Sequence, residues 1–228
     1  MNFLQSVQRL RQECGIPGSG PTTVVNQTGE LKRLVDWYLQ ALEKVQMQCI
    51  EAGFDFLRTS MTFDTVANQQ SYTTTEIGIS AGFSSWKKQT FRIFLTSGTE
   101  ADETFLEEFD YDTFRDLYLY GSQLTSYSRP TAITFAPDDS IILGLPPDDV
   151  YTVKGDYYKI PQLPTDDTDS IILPSQFHML PVAEAMISYG AFEAAPEVYD
   201  RGKELSSFYM NKLMLNKLPQ IRVVGSLV

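Results

Sequence analysis

The chain has 228 residues, 43% hydrophobic and 12% aromatic, which supports a packed core and excludes a disordered chain. Its formal net charge of -11 at pH 7 argues against a general grip on nucleic-acid phosphates and against docking on anionic lipid. Two cysteines, Cys14 and Cys49, are too few for a disulfide framework; they read as small buried hydrophobes and point to a reducing compartment. The opening MNFLQSVQRLRQECG has no apolar core of the kind a signal peptide needs. No apolar run approaches the roughly 18 residues of a membrane span.

The first element is a helix over residues 3–14, with Phe3, Val7, Leu10 and Cys14 at helical spacing and Gly15 behind it. GIPGSGPTT (15–23) reads as a flexible connection. It lacks the GK[ST] ending of a phosphate loop and does not follow a strand. The clearest element is a long helix over about 29–52. Leu31, Leu34, Tyr38, Leu42, Val45 and Cys49 make its stripe, with Val35, Trp37 and Ala41 beside it. Thr28 is its predicted cap and Gly53 its stop.

From about 60 to 165 the chain turns rich in Thr, Ser, Tyr, Phe and turn residues. QTFRIFLT (89–96) alternates, with Phe91, Ile93 and Leu95 on one face, and predicts a strand. DTFRDLYLYG (112–121) predicts a short helix from an Asp cap to a Gly stop. Residues 132–161 read as a β-meander, with strands Ile133–Ala136, Ser140–Gly144 and Tyr151–Tyr158 and turns at PDD and PPDD. Helical pattern returns near 175, with Ser175 as cap and Val182, Ala185, Met186 and Tyr189 as one apolar face. A last helix over about 197–217 places Val198, Gly202, Leu205, Phe208, Tyr209 and Leu213 near one face. QIRVVGSLV closes the chain as an extended, β-branched tail.

The expectation is therefore an α+β fold. Residues 1–59 and 166–218 form an α-helical bundle that carries a central antiparallel β-rich insert at 60–165, and 219–228 is an extended tail. Charge is uneven along it. Residues 100–116 hold eight acids (Glu100, Asp102, Glu103, Glu107, Glu108, Asp110, Asp112, Asp116) against Arg115. Residues 200–228 hold five bases (Arg201, Lys203, Lys212, Lys217, Arg222) against Asp200 and Glu204. That asymmetry points to contacts between subunits or with partners rather than to a substrate pocket.

Catalytic machinery is not visible. The one histidine, His178, has no GxSxG elbow to serve, and one His with two separated Cys does not make a zinc site. The acidic pairs Glu107–Glu108, Asp138–Asp139, Asp148–Asp149 and Asp166–Asp167 read as turn residues, because neighbours on a strand face opposite sides and none fits an EF-hand loop. No metal and no cofactor is expected.

Two blocks carry a family resemblance. Residues 3–46 resemble the opening of tailed-bacteriophage head-to-tail adaptor proteins: a short helix, a Gly/Ser/Pro/Thr loop, and a Q-T-G-E-x-x-R-L-V-x-W entry. Here that entry is Gln27, Thr28, Gly29, Glu30, Arg33, Leu34, Val35 and Trp37. Residues 150–198 are similar too, with a YxVxGxYYxxP strand, an acidic linker, LPxxFH and the VAEAM helix entry. The resemblance implies a non-enzymatic virion protein, assembled in the host cytoplasm and placed at the virion neck. It implies a homo-oligomeric ring of twelve copies beneath the portal protein, which extends the channel for double-stranded DNA and offers a surface to a tail or nozzle protein. Under this reading Gln220, Ile221, Arg222, Val223, Val224, Leu227 and Val228 are candidates to bind the portal. Glu107, Glu108 and Asp110 are candidates to meet Arg201, Lys203 and Lys212 of a neighbouring subunit. Two other readings stay open on the residues alone: a carboxylate-based peptidoglycan hydrolase built on the acidic pairs, and a carbohydrate-binding module built on the Tyr residues and Trp86 of the β-rich segment.

Overall fold

The computed structural model describes residues 1–18 and 20–217, a mixed α+β chain with five helices and two four-stranded sheets among them. The helices are α1 (Phe3–Glu13), α2 (Gly29–Glu51), α3 (Tyr111–Tyr118), α4 (Met179–Phe192) and α5 (Pro196–Lys217). The strands are β1 (Arg58–Asp64), β2 (Ser71–Tyr72), β3 (Phe83–Leu95), β4 (Thr104–Phe105), β5 (Glu107–Glu108), β6 (Ala132–Phe135), β7 (Ile141–Leu143) and β8 (Tyr151–Lys159). Two units hold them: Met1–Leu57 with the chain from Pro161 onward, and Arg58–Ile160. The tail at 219–228 lies outside the described residues.

The helical unit is built from the stripes its sequence spells out. Phe3, Val7 and Leu10 of α1 and Leu34, Tyr38, Leu42, Val45 and Cys49 of α2 are all buried in one core. Asn2 and Gln5 close the start of α1 reciprocally, each side chain accepting the other's backbone N–H at 2.9 and 3.0 Å. Thr28 stands at the cap position of α2, but its hydroxyl makes no capping bond; Gly29, at φ +61°, turns the chain into the helix instead.

α4 corrects the one-face reading. Leu180, Val182, Ala183, Ala185 and Met186 are all fully buried, because α1, α2 and α5 each pack against this helix. Its one carboxylate, Glu184, holds two neighbours: Lys44 of α2 at 2.7 Å and the Ser206 hydroxyl of α5 at 2.5 Å. α5 comes close because both helices carry a glycine at their contact. A Cβ on Gly190 would stand 2.6 Å from the Tyr199 backbone nitrogen, and one on Gly202 would stand 3.0 Å from the Ala183 carbonyl oxygen. Phe208 does not join that face; it points outward, 53% exposed. The connecting segment after Pro161 is pinned as well. Gln46 and Gln162 exchange two hydrogen bonds, and Asp167 accepts from the Val24 N–H at 2.6 Å and the Thr23 hydroxyl at 3.1 Å.

The β-rich unit departs from the expected meander. β6 and β7 form a hairpin, but β8 leaves it for the other sheet, so the orders are β1-β8-β3-β4 and β2-β7-β6-β5. Pro146 and Pro147 between β7 and β8 lack the N–H that a continuing ladder needs. Nor is the unit wholly antiparallel: β5 runs parallel to β6, with Glu107 opposite Ala132 and Glu108 opposite Ile133. β8 is the spine of its sheet, paired with β1 from Arg58↔Tyr158 to Asp64↔Thr152 and with β3 on its other side. Where β3 bulges between Lys87 and Arg92, the Phe91 ring covers Gly155; a Cβ there would meet the ring at 2.5 Å. Met61, Phe63, Phe91, Ile93 and Val153 from one sheet share a core with Ile133, Ile141 and Leu143 from the other. α3 begins two residues earlier than expected, capped by Asp110 rather than Asp112; the Asp110 carboxylate accepts the Thr113 N–H at 3.2 Å.

Candidate interaction surfaces

The acidic segment is largely committed within its own unit. Glu100 accepts from Lys154 at 2.6 Å, and hydrogen bonding to that ammonium holds its carboxyl below the usual range. Asp102 takes both oxygens' worth of Arg129 at 2.7 and 2.8 Å, which likewise lowers it. The same guanidinium donates to the Ile93 carbonyl at 3.0 Å and the Thr104 hydroxyl at 3.1 Å, so Arg129 ties β3 and β4 to the acidic turn. Glu103 pairs with Arg92 at 2.9 Å.

Among the sequence-predicted contact residues, Glu108 accepts the Gln89 N–H at 2.9 Å with Lys88 at 3.7 Å, and Asp110 is used as the cap of α3. Glu107 is exposed on β5. On α5, Arg201 pairs with Glu13 at 2.8 Å, Lys203 lies over the Tyr199 ring at 4.3 Å, and Lys212 is 5.8 Å from the Phe208 ring. Four of the six are exposed without an ion-pair partner among the described residues, Glu107, Asp110, Lys203 and Lys212, and of these Asp110 is occupied as the α3 cap. The candidate portal contacts Gln220, Ile221, Arg222, Val223, Val224, Leu227 and Val228 lie outside the described residues.

The remaining chemical candidates have structural employment. His178 is buried; its Nε2 lies 2.8 Å from the Leu173 carbonyl oxygen and its Nδ1 2.6 Å from the Met1 amine. Burial pushes both thiols up to about 12 and leaves Cys14 and Cys49 as packing groups. Among the described residues no three His, Cys, Asp or Glu side chains converge on a metal-sized site, and no helix is long and apolar enough to cross a membrane. Hydrogen bonds from neighbouring groups hold the carboxyls of Glu76, Glu100, Asp102, Asp138 and Asp169 below the usual carboxylate range. Asp138, a member of one acidic pair, is thereby moved away from what a glycosidase acid needs. Trp86, the aromatic expected to face a sugar, is 8% exposed; it packs against Phe83, Phe91 and Phe135 and donates its indole N–H to the Asp139 carbonyl at 2.9 Å.

The glycine loop is organised rather than loose. The Arg11 guanidinium donates to the Gly18 carbonyl at 2.6 Å and to that of Pro17, and Gly15, Gly18 and Gly20 all take positive φ. Arg11, Ile16 and Pro17 line a cavity of about 440 Å³ with Glu30, Leu31 and Tyr189. Next to it, Arg33 lies 4.7 Å over the exposed Phe192 ring, and Trp37 packs on Phe192 and Tyr189.

A sequence model of the family described as SU10 adaptor protein matches residues 1–222, through both units. The chain belongs to the SU10 adaptor protein family. The head-to-tail adaptor resemblance carried by the two sequence blocks is borne out by that match, and it makes this a structural adaptor of a bacteriophage. Comparison with curated proteins returns no match. In the adaptor the entry motif has physical work to do: Gln27 donates to the Thr23 carbonyl at 2.8 Å, Gly29 supplies the positive φ, Leu34 and Val35 enter the core, and Arg33 and Trp37 build the aromatic surface on α4. Sequence reasoning missed Arg129 and Arg11, which bind backbone carbonyls; such roles leave no spacing pattern. It also missed exposed apolar side chains at the end of α3 and beyond it: Leu117, Tyr120, Leu124 and Tyr127 have helical spacing, but α3 stops at Tyr118 and a 3₁₀ turn carries Leu124.

Proposed function

We propose that this adaptor forms a ring of twelve copies between the portal and the tail or nozzle protein, at the neck of the virion. The match of residues 1–222 to an adaptor family carries the reading, because it spans the helical and the β-rich parts of the chain together. In this reading the helices form a bundle around the ring and carry the β-rich insert toward the tail. The tail segment Gln220–Val228 joins the portal by adding Ile221, Val223 and Val224 to an exposed strand edge. The ring assembles in the host cytoplasm and lengthens the DNA channel. The net charge of -11 suits a lumen that lets DNA pass without holding its phosphates.

Electron microscopy of portal rings mixed with the full chain tests this. The expected result is an added ring of density under the portal, lost when Pro219–Val228 is deleted from a protein that still folds. Failure of the full chain to decorate portals at any molar excess would refute the adaptor ring. Wild-type occupancy by the truncated chain would remove the tail from the contact.

A further inference from the structure

Two exposed surfaces stand out, one in each unit, and they differ in charge. In the β-rich unit, Leu117, Tyr120, Leu124 and Tyr127 are between 47% and 61% exposed, at the end of α3 and in the 3₁₀ turn Gly121–Thr125 and its exit. Beside them the carboxylates of Asp112 and Asp116 are 83% and 71% exposed. From Glu107 to Tyr127 the only base is Arg115, divided between those two carboxylates at 3.4 and 3.7 Å. In the helical unit, Arg201, Phe208 and Leu215 recur every seven residues along the outer face of α5, with Lys212 a turn beyond Phe208. Leu215 is 81% exposed; Glu204, exposed a turn before Phe208, is the last acid of the helix, and from Leu205 to Lys217 it carries none. Single exposed hydrophobics are ordinary; Phe208 and Leu215, two turns apart on one face, form a short exposed apolar strip beside Lys212.

We propose that these surfaces bind each other between neighbouring copies. The α5 seam of one adaptor seats on the α3-and-turn surface of the next, with Phe208 and Leu215 against Leu117, Tyr120 and Leu124, and Lys212 opposite Asp112 and Asp116. The assignment rests on the ring reading above and names its interface. Two different faces of one chain in contact make a heterologous interface, the kind that propagates into a closed ring. Charge selects a second copy: either surface paired with itself sets like charges together, whereas the two paired with each other cancel.

A charge exchange tests it. Asp112→Lys/Asp116→Lys reverses one surface, and Lys212→Glu reverses the other. Ring yield of the full chain is measured by native mass spectrometry, alone and on portal rings, with circular dichroism melts to confirm folding. Each variant alone should lose at least about tenfold in assembly, because every interface then opposes like charges. An equimolar mixture should recover rings with the two variants in equal number, since only strict alternation matches every interface. Leu124→Ser, in an exposed turn, should weaken assembly without altering charge. Wild-type assembly by either reversed variant alone, or a mixture no better than its parts, overturns the surface assignment while the ring stands. Absence of any ring from the wild-type chain overturns the ring itself.

Discussion

The α4–α5 contact makes a quantitative prediction at Gly190. A methyl group there would stand 2.6 Å from the Tyr199 nitrogen and 2.8 Å from its Cα and Cβ, where ordinary contact begins at 3.4 Å. Two of those three atoms are backbone, so no rotamer change relieves the clash; the helices must separate by roughly 0.8 Å. Overpacking of this kind costs about 1–3 kcal/mol, offset by about 1 kcal/mol of improved helix propensity. Gly190→Ala should therefore lose about 1 kcal/mol, the middle of a net range of roughly 0–2. Gly202→Ala meets only one carbonyl oxygen at 3.0 Å and Ile187 atoms at 3.1 Å, so its cost should be nearly cancelled by propensity. The assay is urea unfolding followed by Trp37 fluorescence in a Trp86→Phe background, since Trp37 packs on Phe192 and Tyr189 beside the altered position. At a slope of about 1–3 kcal/mol per molar urea, a loss of about 1 kcal/mol lowers the midpoint by roughly 0.3–1 M. An unchanged or raised midpoint for Gly190→Ala, or a larger loss for Gly202→Ala, would show that the helices are not held at this distance by their glycines.

Three further outcomes follow from local physics. His178 is buried, and desolvation holds its folded pKa below the ordinary value of about 6.5. The neutral ring is favoured in the fold, so its stability is fully present above about pH 6.5 and is lost as pH falls through the lower folded value; His178→Gln should flatten that slope in pH-dependent melts. Ala194 occupies the left-handed region at φ +51° between α4 and α5 and is exposed, so Ala194→Gly should raise the urea midpoint, by roughly 0.5–1 kcal/mol of stability. Cys14 and Cys49, both buried with raised thiols, should resist Ellman's reagent in the native protein and both react in urea; rapid native labelling would contradict the packing of α1 and α2.

How much was legible depends on what each residue touches. α1 and α2 read cleanly because their buried positions recur at helical spacing, and the water-facing side of each helix supplies the contrast. α4 hid its true environment, because a helix buried all round has no contrast and only its most apolar face was read. The β8 crossover was hidden for a different reason. Strand patterns report which residues point inward, and the inward face of β8 suits either sheet; pairing partners are decided by distant residues such as Met61 and Ile93. The acidic stretch was visible as charge, but its partners Arg129 and Lys154 are 27 and 54 residues from theirs, so composition showed an acidic surface where the fold shows mostly satisfied pairs.

That difference bears on function. The entry motif from Gln27 to Trp37 marks the family through residues whose duties are folding duties: a turn glycine, two core aliphatics and an aromatic packed on α4. In this structural adaptor the family signature coincides with the framework of the helical unit. Its working surfaces obey only complementarity, which a single chain does not display as a pattern. Within the acidic run, Glu100, Asp102 and Glu103 are held by Lys154, Arg129 and Arg92 of their own unit, whereas Asp112 and Asp116 stay exposed. The charges left to act between copies are those the fold leaves exposed, such as Asp112, Asp116 and Lys212, and each lies beside exposed apolar side chains. Charge of that kind gives register and rejects wrong pairings, while the adjoining apolar area supplies affinity. The proposed ring, to close in one orientation, would need both from the same surface.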